Sequence, residues 1–72
     1  MEKEKQLENL GKKVRQRRTE LGLSQEQLAF NCGFDRTYIS LVERGKRNIS
    51  FSNLTTLAKG LKTTISTLTT GL

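Results

Sequence analysis

Residues 23–45 read LSQEQLAFNCGFDRTYISLVERG, and the spacing within that stretch decides the fold. Ser24 and Gln27 stand three apart, as a capping box requires: the Ser24 hydroxyl accepts the Gln27 amide hydrogen, the Gln27 side chain reaches back, and Leu23 staples onto Leu28. The helix started there carries Leu28, Ala29 and Cys32 three to four apart and is stopped by Gly33 after about two turns. Asp35 repeats the device as an N-cap, with Phe34 and Ile39 as its staple pair. This second helix is expected to run to about Arg44, with Gly45 capping its end. At about 100° per residue, Tyr38, Ile39 and Val42 fall on one side and Thr37, Ser40, Leu41 and Arg44 on the other. The stretch thus predicts two short helices about a tight glycine turn, the second with a polar face free to hydrogen-bond into a groove.

Towards the N-terminus, Leu7, Leu10, Val14 and Leu21 form one apolar stripe at helical spacing, which predicts a helix from about Lys5 to Leu21. Gly22 supplies a left-handed C-cap, and Gly11 inside the helix is a weak spot costing roughly 1 kcal/mol relative to Ala. Towards the C-terminus, Lys46-Arg47-Asn48 forms a basic loop. Ser50 then caps a helix carrying Leu54, Leu57, Ala58 and Leu61, with Ile49 stapled to Leu54. Residues 63–70 are rich in β-branched side chains. They are read as a short helix capped by Ser66, because one lone strand would have no partner. The whole chain, 1–72, is therefore expected to be a single all-α domain of five helices.

Composition narrows the function. A chain of 72 residues buries only about 60% of the surface its unfolded form exposes, so marginal stability or a partner is expected. There is no His, and Cys32 is alone, which removes histidine-based nucleophilic sites, histidine-ligated metals and an intramolecular disulfide. Cys32 reads as buried filler, and no enzyme activity, cofactor or metal is expected. The longest apolar run is Leu28-Ala29-Phe30, and Glu2-Lys3-Glu4-Lys5 lacks the apolar stretch of a secretory signal; a cytoplasmic chain with no membrane role is expected. Lys and Arg number 13 against 7 acidic residues, a net charge of +6. Residues 12–47 hold nine of the basic side chains and four of the acidic ones, a local excess of +5. A polyanion is the natural partner, nucleic acid first, with a merely solvated charged surface as the plain alternative.

Placed together, Gln25 to Cys32 and Asp35 to Arg44 define a helix-turn-helix whose second helix enters the DNA major groove. Small Ala29 lets the two helices approach, Gly33 permits the turn, and Ile39 and Val42 fill the crevice behind the groove-facing side. On these residues, Leu23 to Ala29, Gly33, Ile39-Ser40, Glu43 and Gly45, the chain resembles the phage-repressor-type, lambda-repressor-like helix-turn-helix family. More narrowly, Arg36-Thr37-Tyr38-Ile39-Ser40 with Glu43 to Ser50 looks like the controller proteins of bacterial restriction-modification systems. The resemblance spans about residues 8 to 70.

The resemblance implies a role for each matching position. Arg36 and Thr37, in the first turn of the recognition helix, are expected to read base edges, Arg36 by a bidentate contact to guanine, with a phosphate as its alternative. Ser40 lies along the same face, and Arg47 is read for either a base edge or a phosphate. Gln25, Tyr38, Arg44, Lys46 and Asn48 are assigned to phosphates, Gln25 together with the free amides at the start of its helix. Lys12, Lys13, Arg15 and Arg17 are taken as a solvated or phosphate-facing surface. In relatives the acid at Glu43 pairs with the arginine at Arg18, which implies a structural ion pair. A homodimer on a two-fold operator is expected, with Ile65, Leu68 and Leu72 at the interface. The resemblance further implies a regulator that activates its own promoter at low occupancy and represses it at high occupancy, with exposed Glu26 meeting RNA polymerase. The competing readings are a phage or plasmid repressor or an antitoxin of the same fold and, further off, a protein-interaction module of a larger polypeptide.

Overall fold

Each helix after the first begins where a short polar side chain satisfies one of its free amides. The computed structural model, which describes residues 2–72, holds five helices: α1 Glu2–Glu20, α2 Gln25–Cys32, α3 Arg36–Glu43, α4 Phe51–Gly60 and α5 Ile65–Thr69. Both bonds of the α2 capping box are present, Gln27 N donating to Ser24 Oγ at 3.0 Å and Ser24 N to Gln27 Oε1 at 2.8 Å. Asp35 caps α3 through Thr37 N at 3.2 Å, and Ser50 caps α4 through Asn53 N at 3.1 Å. Between α2 and α3 the chain reverses at Gly33, which takes φ +72°. There Phe34 N donates to Ala29 O at 2.9 Å, the bond that closes a Schellman motif. A side chain at Gly33 would strain this turn, which is why the residue is glycine.

α1 starts at Glu2, one turn earlier than the apolar stripe indicates, because residues 2–5 are good helix formers with acidic groups in the first turn. The start of α5 also differs from the expectation. Thr64, not Ser66, is its N-cap: Thr64 Oγ1 accepts Thr67 N at 3.1 Å, while Ser66 lies inside the helix. Starting there puts Ile65 and Leu68 three apart on one face, and both pack inward.

The core draws on every helix. Leu10 and Val14 of α1, Leu28 and Ala29 of α2, Ile39 and Val42 of α3, Leu57 and Ala58 of α4, then Leu61 and Leu68 are all buried. Full burial of a leucine contributes about 1.5–3 kcal/mol, so this set has to carry most of the cost of ordering the chain. Leu68, at 2% exposed, is therefore core of the protomer rather than interface surface, because α5 folds back onto α1 and α4. Of the three residues expected at a dimer contact, Ile65 is partly buried and Leu72 is open at the surface. Cys32 packs against the core as filler but is half-buried rather than buried: its Sγ lies 3.8 Å from Thr56 O, and partial burial pushes its thiol pKa up.

Two features of α1 come from packing alone. A Cβ on Gly11 would sit 2.5 Å from the Val42 carbonyl oxygen and closer still to that of Glu43. The residue that reads as a weak spot in the helix is thus what lets α1 lie against the end of α3. Arg17 is not a solvated residue. Its guanidinium donates to Leu61 O at 2.9 Å and Lys62 O at 3.1 Å, closing the carbonyl end of α4, and lies 3.6 Å from Glu20. No described helix is long and apolar enough to cross a membrane.

Candidate nucleic-acid interface

The recognition helix α3 is locked from behind and free in front. Behind it, Glu43 is buried with 3% of its side chain exposed, and a carboxylate there requires compensation. Arg18 of α1 supplies it with a two-pronged contact, Nε at 2.6 Å from Oε2 and a terminal nitrogen at 3.1 Å from Oε1. A further nitrogen of Arg18 donates to Leu23 O at 2.7 Å, and Gln25 Nε2 donates to Glu43 Oε1 at 3.1 Å. One carboxylate therefore joins α1, α2 and α3. Among the described residues no buried side-chain nitrogen or oxygen lacks a partner. The Arg18–Glu43 pair expected from the sequence is present; what the sequence did not reveal is that Gln25 belongs to it. Turning inward leaves Gln25 one amide hydrogen and the first backbone amides of α2 for any ligand.

On the front of α3, Arg36, Thr37 and Arg44 are exposed and Ser40 is half-buried. Arg36, Ser40 and Arg44 fall four apart and so form one ridge. Neither the Arg36 nor the Thr37 side chain is tied down by a hydrogen bond within the described residues, whereas Arg44 Nε reaches its own helix at Ser40 O, 3.3 Å. The ridge lines a groove of about 670 Å³ whose other walls are the cap residue Ser24, Gln25 and Glu26 of α2, and Arg15 and Arg18 of α1. Glu26 is exposed there and takes part in neither ion pair of the described chain.

Beyond α3 the basic loop is anchored by Tyr38. Its ring lies 4.9 Å from that of Phe34 at 59°, and its hydroxyl accepts from Asn53 Nδ2 at 3.1 Å, which ties the recognition helix to the first turn of α4. The Arg47 guanidinium sits 5.4 Å from the centre of the Tyr38 ring, a cation–π contact that draws the loop onto α3. Lys46 and Asn48 are exposed in the same loop. Every residue expected at DNA therefore lies on α3, in the loop that follows it, or at the mouth of the groove. Asn48 also borders a second depression with Leu7, Leu10, Thr69 and Leu72, so the loop after α3 adjoins Leu72, the exposed residue of the expected dimer contact. Sequence reasoning passed over the exposure of Phe30, which is 86% open on α2. Its place two residues after buried Leu28 was the available signal.

Residues 14–68 match the helix-turn-helix family. The control protein C.BamHI of Bacillus amyloliquefaciens is 52% identical over 52 residues, which cover 71% of this chain and 64% of that protein. The control protein C.SmaI of Serratia marcescens is 49% identical over 63 residues, 88% of this chain and 75% of the other. Among solved structures, the restriction-modification controller protein C.AhdI from Aeromonas hydrophila superposes with a TM-score of 0.84 at 47% identity, covering 86% of this chain and 94% of that one. A further controller, solved as a tetramer in complex with its natural 35 base-pair operator, gives 0.81 at 35% identity, with 88% and 83% covered. The glycine turn and the open ridge of α3 stand within the matched residues, and the chain belongs to the helix-turn-helix family, alongside the restriction-modification controller proteins.

Proposed function

We propose that this protein is a sequence-specific, dimeric regulator of transcription that binds double-stranded DNA and controls a restriction-modification operon. The observation that carries this reading is the first turn of α3. Arg36 and Thr37 are exposed and unbonded there, on a helix whose rear is locked by Glu43. Such a turn is preorganised for base edges, because the backbone is held while the side chains keep their donors. The likeness to control proteins supports the choice of operon.

Arg36, Thr37, Ser40 and Arg47 face base edges, and Gln25, Tyr38, Arg44, Lys46 and Asn48 face phosphates. Tyr38 serves partly as the shelf for Arg47. One recognition helix reads few base pairs, so specificity comes from two copies whose α3 helices lie about 34 Å apart on a two-fold site. Ile65 and Leu72 form the contact between copies. Regulation follows from occupancy: a first dimer activates the promoter, further dimers on weaker sites repress it, and endonuclease expression lags methylation. Activation needs a contact to RNA polymerase, assigned to Glu26, with exposed Phe30 one helical turn along to add apolar area.

The test is selection of binding sites from a randomised duplex pool at about 150 mM salt, repeated with the double variant Arg36→Ala, Thr37→Ala. Enrichment of a two-fold motif by the unmodified chain, lost in the variant, is expected; no enrichment refutes the proposal. In a promoter assay, Glu26→Lys is expected to bind normally and fail to activate, and undiminished transcription removes Glu26 from that role.

A further inference from the structure

The geometry points to Arg15, on α1, as a DNA-backbone contact, which makes the interface three helices wide. This inference rests on the reading of the groove as the DNA-facing surface. α1 carries three arginines near its end, and two of them are spent on the fold. Arg17 closes the carbonyl end of α4, and Arg18 neutralises Glu43. Arg15 is exposed, and within the described residues its guanidinium makes neither a hydrogen bond nor an ion pair. Its position is set by packing. Gly11 brings α1 against the Val42 and Glu43 carbonyls, and Arg15 follows one turn later and precedes Arg18 by one turn, on the edge that faces α3. There it shares the groove with Gln25, Arg36 and Arg44.

Charge in the groove points the same way. Arg18 and Glu43 cancel, which leaves Arg15, Arg36 and Arg44 against Glu26. With Arg36 directed to a base, Arg15 and Arg44 are the cations left to hold the backbone on either side of it. A phosphodiester offers two unesterified oxygens and one negative charge, which a guanidinium meets with two parallel N–H donors. Such a contact fixes the register of the protein on the duplex and carries no sequence information. Arg15 should therefore set affinity on every duplex alike.

The test is titration of a labelled operator duplex and a scrambled one between about 50 and about 200 mM salt. Arg15→Gln is compared with the unmodified chain and with Lys59→Gln, an equal charge loss in a separate depression beside Asn31 and Thr56. Each lost phosphate contact lowers the slope of log affinity against log salt by about 0.9. We expect that change per bound protomer for Arg15→Gln on both duplexes, an unchanged motif, an unchanged melting temperature, and no change of slope for Lys59→Gln. An unchanged slope in Arg15→Gln overturns the assignment. So does an equal change in Lys59→Gln, which reports net charge only, or a loss confined to the operator, which makes Arg15 a base reader. Absence of salt-dependent duplex binding by the unmodified chain refutes the underlying DNA reading instead, so the two failures are distinguishable.

Discussion

A carboxylate beside a surface meant for phosphate is an electrostatic liability, and Glu43 shows how the liability is removed. It is buried, paired to Arg18 at 2.6 Å, and bonded to Gln25 at 3.1 Å. Breaking such a pair from one side costs about 3–5 kcal/mol, because the remaining charge is stranded. Glu43→Gln is expected to destabilise the chain to this extent and to weaken DNA binding, since Gln25 and α3 lose a shared anchor. The double change Arg18→Met, Glu43→Leu should recover much of the stability. Urea unfolding of the two variants beside the unmodified chain decides the matter, and a Glu43→Gln midpoint equal to that of the unmodified chain contradicts the structural role. The caps of α2, α3 and α4, the glycine turn and the Arg18–Glu43 pairing were all legible from residue type and spacing or from resemblance. The bond from Gln25 was not, because a glutamine at the start of a helix has the same signature whether its amide faces solvent or a neighbour 18 residues away.

At the scale of elements, helix starts were legible to the extent that one oxygen and one amide two or three residues on determine them. The Thr-rich end defeats this reading, since Thr64 and Ser66 are both able to cap. Only the burial of Ile65 and Leu68 selects Thr64. Gly11 shows the opposite case, in which helix propensity points the wrong way. Alanine at an ordinary helical glycine gains about 1 kcal/mol. Here the added methyl meets the Val42 and Glu43 carbonyls, which are backbone atoms at the end of α3 and cannot rotate aside. Gly11→Ala is expected to lower the melting temperature and weaken operator binding by displacing α3. A raised melting temperature would show that α1 and α3 separate at no cost, and the close approach would lose its importance.

For the whole molecule, a small core leaves little reserve, and each buried leucine matters. Leu68→Ala is expected to cost about 2–5 kcal/mol, as large-to-small changes in cores do. It should lower stability at every protein concentration, because Leu68 is covered within one protomer. Leu72→Lys is expected to leave the protomer folded and to weaken self-association, since Leu72 is open at the surface. Sedimentation across a concentration series, read beside circular dichroism, separates the two effects. If Leu72→Lys associates like the unmodified chain, the proposed contact through α5 is wrong. The net charge of +6 acts at this scale too, steering the molecule towards any polyanion, while placement of individual arginines decides which part of the surface arrives first.

By itself the sequence determined the class of the fold, the order of the helices, the helix-turn-helix and the exposure of Arg36 and Thr37. These rest on signals contained within about one helical turn, namely a cap, a staple, a glycine or an apolar spacing. Beyond the Arg18–Glu43 pairing, tertiary structure alone decided how α1 is used. Of its three neighbouring arginines, Arg17 reaches carbonyls 44 and 45 residues away, Arg18 reaches a carboxylate 25 away, and Arg15 is left in the groove. Along the chain the three are near-equivalent cations on one helix. Their roles diverge because Arg17 points about 200° from Arg15 around the helix axis and Arg18 about 100° further, and only packing determines what stands in each direction.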